Sequence, residues 1–217
     1  MEQLDRMGAK KIYATARTLN DLQHLPNKVE PIELELTDSQ SIRSCIEQTQ
    51  DATLFINNAG ILKRGSVIDR SVKDQRAEME VNFFAPLMII KELLNSRVFK
   101  RGGKIVLINS ICAFAGMPGV GGYSASKSAL HSLSQSLKPL IDSSQVTMSA
   151  VYPGPLDTQM NDGIEIPDIT TCETAAAAIC TAIANNQTMI FPDQKSTAVW
   201  ETYKRDPLSV IEEFSNY

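Results

Sequence analysis

The chain has 217 residues, 43% of them hydrophobic and 21% charged, with a formal net charge of −4. That length suits one α/β domain spanning residues 1–217 and is short for two. The acidic balance argues against a nucleic-acid partner, and the nearest basic cluster, Lys100, Arg101 and Lys104, reads as a solvated loop.

Cys45, Cys112, Cys172 and Cys180 show neither CxxC nor metal-finger spacing, so neither a disulfide framework nor a metal site is expected. The first residues, MEQLDRMGAKK, have no apolar core of a secretory signal, and no stretch approaches the ~18 apolar residues of a membrane helix. A soluble, cytoplasmic protein is the expectation.

In chain order, Met1 to Met7 reads as the last turns of an amphipathic helix closed by Gly8. Apolar runs predict strands at Lys11–Ala16, Glu30–Leu36, Ala52–Asn57, Gly103–Asn109, Val146–Tyr152 and Thr188–Pro192. Helical periodicity falls between them, at Leu19–His24, Ser39–Gln48, Val72–Ser96, Tyr123–Ile141 and Glu173–Asn185. Trp200 and Tyr203 mark a C-terminal helix on the domain edge. Strands alternating with helices predict a Rossmann-like, doubly wound, mostly parallel sheet.

The segment Lys104–Lys127, KIVLINSICAFAGMPGVGGYSASK, carries the most chemistry. Tyr123 and Lys127 are four residues apart, so on a helix they share one face. A free tyrosine titrates at about 10, and a neighbouring ammonium favours its phenolate. Tyr123 then becomes able to exchange a proton with an alcohol or carbonyl oxygen. Ser110, after a parallel strand, sits where α/β sheets bind ligands, and its hydroxyl can orient a reacting oxygen. Tyrosine and lysine at this spacing also occur by chance, so the pair alone does not establish catalysis.

This segment resembles the active-site signature of the short-chain dehydrogenase/reductase family. Asn57-Asn58-Ala59-Gly60 resembles the family's NNAG element, Asn82 in EVNFFAP the Asn of its long interface helix, and Pro153-Gly154-Pro155 with Thr158 its PG turn. The resemblance covers the chain from Gly8 onwards. It implies a tetrad of Asn82, Ser110, Tyr123 and Lys127, acting in hydride transfer between NAD(P)H and a carbonyl or alcohol. Tyr123 is then the acid/base and Lys127 also holds the nicotinamide ribose. Asn58, Ala59, Gly60, Pro153, Gly154 and Thr158 line the cofactor site.

At the end of the first predicted strand Arg17 stands where an acidic residue would bind a ribose hydroxyl, which favours NADP(H) over NAD(H); the alternative is a solvated surface arginine. Glu35-Leu36 resembles the family's adenine-contacting pair, with Glu for Asp. Phe114 and Met117 are candidate substrate contacts around Ser110. The short stretch Gln159–Thr171 predicts an open pocket. His131 reads as a helix-surface or interface residue, His24 as a loop residue and Cys112 as pocket lining. The resemblance implies a homodimer or homotetramer formed through Val72–Ser96 and Tyr123–Ile141, which carry Phe83, Phe84, Leu87, Ile90, Leu133 and Leu137. Small-molecule substrates are expected, with neither nucleic acid nor membrane as partner.

One departure stands out. The family's first strand and glycine-rich turn, about twenty residues by the resemblance, have no counterpart before Gly8. That strand belongs between those at Lys11–Ala16 and Ala52–Asn57. Without it the sheet must close up, recruit another segment or keep two open edges. Two explanations follow: Met1 is internal to a longer working reductase, or the chain is a catalytically silent binding protein on a reductase scaffold.

Overall fold

A computed structural model describes every residue except 24, 27, 97, 98, 100, 101, 142–144 and 168. The readings of His24, Lys100 and Arg101 therefore lie outside the described residues. The strands are all parallel: β1 Ile12–Ala16, β2 Val29–Glu33, β3 Leu54–Asn57, β4 Gly103–Ile108, β5 Val146–Val151, β6 Leu156–Asp157, β7 Thr170–Thr171 and β8 Met189–Ile190. The helices are α1 Glu2–Arg6, α2 Ser39–Gln48, α3 Val72–Met79, α4 Ala85–Asn95, α5 Gly121–Ile141, α6 Cys172–Ala184, α7 Gln194–Arg205 and α8 Pro207–Ser215. The Rossmann-like fold class is that of the sequence reading.

Chain chemistry sets the ends of these elements. Asp38 caps α2 by accepting from the Gln40 N–H at 2.9 Å, and Ser71 caps α3 through the Asp74 N–H. Gly8, at φ 84°, follows α1 in the left-handed region that glycine enters without strain. The second expected strand, Glu30–Leu36, is shorter than its apolar run. After Glu33 the chain turns, with Glu35 accepting from both the Thr37 N–H and its hydroxyl. Leu19–Leu22 forms a 3₁₀ turn in place of an α-helix, and Thr188–Pro192 contributes only Met189–Ile190 to the sheet.

The sheet is divided. β3-β4-β5-β8 form one ladder and β1-β2 another, and no backbone pairing joins β1 to β3 among the described residues. Of the three outcomes open to a sheet with this gap, the chain takes the one that keeps two open edges. All but the last residue of β3 are only half-buried, unusual for an inner parallel strand. Side chains hold the parts together instead. Ile32 of β2, Leu34 just after it, and Ile42 and Ile46 of α2 share one core with Ile89 of α4, Ile105 of β4 and Leu130 of α5. The Tyr13 hydroxyl of β1 also donates to Asp51, just before β3, at 2.7 Å.

The opposite face of the large sheet packs Val106 and Val151 against Ala182 and Ile183 of α6. Lys104 opens β4 and is not part of a solvated loop. Its ammonium donates to the Ile183 carbonyl at 2.7 Å and to Asn186 at 2.6 Å, satisfying the carbonyl end of α6. At the carboxyl end an aromatic cluster forms. Phe114 lies with ring centroids 5.0 Å from both Tyr152 and Tyr203, and Phe191 stacks on Trp200 at 5.1 Å. Trp200 and Tyr203 thus pack into a core cluster that includes the fully buried Val210 and Phe214, not on an outer edge. His131 also turns inward, with Nδ1 2.7 Å from the Tyr152 hydroxyl. The four cysteines are free.

Candidate active site

Three elements converge at the carboxyl end of the large sheet. β4 delivers Ser110, which caps the short 3₁₀ turn Ile111–Ala113 by accepting from the Cys112 N–H at 3.2 Å. α5 delivers Tyr123 and Lys127 on one face, and the Lys127 Nζ sits 5.6 Å from the Tyr123 ring centre. The Ser110 hydroxyl acts on the Tyr123 phenol, favouring its ionised form. Asn82 comes from a π-helical turn, Glu80–Phe84, wedged between α3 and α4. Such single turns widen a helix locally and often mark functional positions.

Asn82 is fully committed. Its Oδ1 accepts from the Ile61 N–H at 2.9 Å, and its Nδ2 donates to the Ile61 carbonyl at 2.8 Å and to Ser126 Oγ at 2.9 Å. The Ser126 hydroxyl donates in turn to the Tyr123 carbonyl at 2.7 Å. This chain ties the loop after β3 to the turn of α5 that holds Tyr123 and Lys127. Gly60 sits where a Cβ would lie 3.2 Å from Asn82 Oδ1 and 3.6 Å from Lys127 Nζ. A larger residue there would crowd the lysine.

The electrostatics differ from the sequence expectation. Burial pushes the Tyr123 phenol above its ordinary range, the nearby Cys112 and Glu78 add to that, and the Ser110 hydroxyl opposes it. Burial likewise brings Lys127 down to about 8. Spacing brought the two groups together, as expected. Desolvation of both, however, outweighs the help an ammonium gives a phenolate, and the pair rests as phenol and, at neutral pH, ammonium.

The four side chains are between 1% and 8% exposed, so the expected open pocket is not found. The loop after Ser110 folds back over them: the Ser128 hydroxyl donates to the Ala113 carbonyl at 3.0 Å, and the Met117 N–H to Ser124 Oγ at 3.4 Å. Phe114 is buried in the aromatic cluster, while Met117 Sδ lies 3.7 Å from Cys112 Sγ, and burial pushes that thiol's pKa up. A cavity of about 580 Å³, lined by Asn161, Ile164, Ile166 and Ile169, lies apart from the four residues.

The remaining candidate positions are spread along the sheet's carboxyl edge. Arg17 is exposed after β1 and faces Glu35, whose carboxyl it helps hold below the usual range behind the two Thr37 hydrogen bonds. Leu36 packs on the main core, and Asn58 and Ala59 are exposed after β3. Pro153 accepts from the Ile111 N–H at 3.0 Å, Gly154 donates its N–H to Asp193 at 2.8 Å, and the Thr158 hydroxyl reaches the Leu156 carbonyl at 3.4 Å. Asp193 escaped the sequence reading, although its Asp-x-x-Ser start to α7 is a capping-box pattern and the box forms. Ser126 and Glu78 were also missed.

The family profile described as short chain dehydrogenase matches residues 2–167. The chain belongs to this family. Dehydrogenase/reductase SDR family member 7C of Mus musculus is 30% identical over 154 residues, covering 67% of this chain and 48% of the relative. Member 7B of Xenopus tropicalis is 30% identical over 131 residues, 58% of this chain and 42% of the relative. The chain thus spans about half or less of the length of these curated relatives. A short-chain dehydrogenase from Burkholderia cenocepacia J2315, solved in complex with NADP, superposes with a TM-score of 0.91 at 26% identity, covering 98% of this chain and 90% of that one. One from Burkholderia phymatum, solved with NAD, reaches 0.75 at 17% identity, covering 94% and 89%, a likeness of fold alone. Members of this fold bind a nicotinamide cofactor.

The residues present suit one half of such a cofactor. Lys127 Nζ donates to the Ile108 carbonyl at 2.9 Å, and an ammonium has three N–H donors. At the ends of β3 and β4, Asn57 Nδ2 and both amide atoms of Asn109 are buried without a partner among the described residues, the kind of unspent polarity a ligand or water satisfies. The diphosphate half is served less well. β1 runs into a 3₁₀ turn and β3 into the Asn58–Gly60 loop, so neither leads to an α-helix N-terminus through a glycine-rich turn among the described residues.

Proposed function

We propose that the chain is an NAD(P)(H)-dependent oxidoreductase that interconverts a carbonyl and an alcohol, with Tyr123 as acid/base. The observation that carries this is the buried convergence of Ser110, Tyr123 and Lys127 with the Asn82–Ser126 bridge behind them. The cofactor, when bound, supplies or accepts the hydride. Lys127 and the Pro153–Gly154 turn with Thr158 would hold its nicotinamide half, and Asn58, Ala59 and Gly60 with Arg17, Glu35 and Leu36 would line its adenosine half. Ser110 orients the substrate oxygen by hydrogen bonding. Tyr123 hands its phenolic proton to that oxygen in reduction and takes it back in oxidation. Lys127 steadies the phenolate as charge develops, and Asn82 keeps the loop after β3 against α5. Phe114 and Met117 shape the apolar wall behind Ser110.

Arg17 carries the preference for NADP(H), because a guanidinium pairs with a ribose phosphate at low geometric cost. Titrating NADPH into the chain by fluorescence, with NADH alongside, tests this. NADPH binds more tightly, and Arg17→Ala weakens NADPH by about tenfold, ~1.4 kcal/mol, while leaving NADH unchanged. An equal loss for both cofactors would remove Arg17 from phosphate recognition.

A second reading rests on the divided sheet: a catalytically silent binding protein on a reductase scaffold, since nothing described cradles a diphosphate. A folded chain that binds neither cofactor supports that reading. As an enzyme the protein acts in the cytoplasm on a small-molecule substrate, as a homodimer or homotetramer through the α3–α4 and α5 faces. Phe84 is 44% exposed and Leu140 71% on these faces, whereas Ile90, Leu133 and Leu137 are spent on the core.

A further inference from the structure

Glu78 is a buried carboxylate that the proposed chemistry does not use. It lies on α3, one helical turn before Asn82, and is 1% exposed. A surface acid in RAEME would be unremarkable, but this side chain points inward. Its Oε1 accepts from the Lys63 N–H at 2.8 Å, in the loop that Asn82 holds two residues earlier at Ile61. Its Oε2 faces the first turn of α5, where any side chain at Gly122 would collide with it. Gly122 directly precedes Tyr123.

The geometry points to Glu78 as a positioning residue for Tyr123: it sets the depth of the first turn of α5 against the Ile61–Lys63 loop and places a negative charge against Gly122, the residue before the tyrosine. Two supports then hold the tyrosine. Asn82 works through Ser126 from behind, and Glu78 works through Gly122 from in front. The inference rests on the reading of Tyr123 as acid/base, and it concerns when that residue releases its proton. The charged groups around Glu78 are Lys63 and Arg70 from the loop, Asp74 from α3 and Tyr123 from α5. Lys63 and Arg70 both pair with Asp74, which leaves the Glu78 charge incompletely countered, and burial raises its own pKa. That charge disfavours the Tyr123 phenolate.

The test uses the chain without cofactor, so it stands whether or not the oxidoreductase reading holds. Protein labelled with 3-fluorotyrosine, a more acidic phenol, gives a fluorine resonance for Tyr123, assigned by its loss in Tyr123→Phe. Glu78→Gln keeps the size and an acceptor for the Lys63 N–H but removes the charge, so the midpoint of phenolate formation falls by about half a pH unit or more. Gly122→Ala presses on the same contact from the α5 side. It displaces the Tyr123 resonance and lowers the melting temperature, and it keeps the inference testable should the Gln variant fold poorly. An unchanged midpoint in Glu78→Gln, or an undisplaced resonance in a folded Gly122→Ala, overturns the inference. Retained cofactor binding with either null result would fault Glu78 alone, not the assignment of Tyr123.

Discussion

Tyr123→Phe is expected to lower carbonyl reduction by about a thousandfold, within the range that a positioned proton donor contributes. The loss should fall on kcat, with NADPH affinity changed only a few-fold, because the ring stays in place and only one oxygen leaves. Fold stability changes little, since the buried ring keeps its packing and only its hydroxyl leaves. Single-turnover oxidation of NADPH, followed by absorbance, reads the step directly. The pH profile carries a second signature. Reduction needs the phenol protonated, and burial keeps it so well into alkaline solution. Lys127, in contrast, loses its charge as pH rises through about 8. The alkaline limb of reduction should therefore begin near the lysine's value and not the tyrosine's. Oxidation needs the phenolate, so it should gain as pH rises. A Phe variant with undiminished turnover would end the assignment of Tyr123 as acid/base.

Asn82→Ala should be the most damaging single change to the fold around the site. It strands the Ile61 N–H and the Ile61 carbonyl, and it takes the donor from the wholly buried Ser126 hydroxyl, which keeps only its bond to the Tyr123 carbonyl. At ~1–3 kcal/mol for each unpaired group, and with relaxation at Ile61, a total of about 3 kcal/mol follows. For a chain of this length that lowers the melting temperature by roughly 10 °C. Activity should fall with it, because the turn of α5 carrying Tyr123 and Lys127 loses its tether. Calorimetry of the variant decides: a melting temperature within a degree or two of the parent would mean the Asn82 bridge contributes nothing to holding the site.

What the sequence disclosed, and what it withheld, follows from the range of each interaction. Ser39–Gln48 was legible to the residue because its cap, Asp38, and its apolar face are local. Tyr123 and Lys127 were legible because four residues on a helix is one turn. The π-turn at Glu80–Phe84 left no mark on the periodicity of Val72–Ser96, and only the resemblance at Asn82 hinted at it. Strand ends were overrun where an apolar run outlasted its ladder, as at Leu34–Leu36. Burial was illegible altogether: spacing places the ammonium beside the phenol but not the apolar surroundings that penalise both charges. Glu78 left no signal, since its partners Lys63 and Gly122 are set by tertiary packing.

The divided sheet has a consequence for how the molecule opens. A continuous ladder spreads each local opening across every strand, whereas here β1, β2 and α2 meet the rest through side chains such as Ile32, Ile42 and Ile46. Lifting that unit away severs no strand pairing among the described residues, so it should behave as a cooperative unit of its own, with a smaller opening free energy than the β3-β4-β5-β8 body. Native-state hydrogen exchange would then show two plateaus. Amides of Ile12–Ala16 and Val29–Glu33 would exchange together and early, those of Gly103–Ile108 only with global unfolding, and a single shared plateau would mean that side-chain packing alone couples the two as tightly as a backbone ladder.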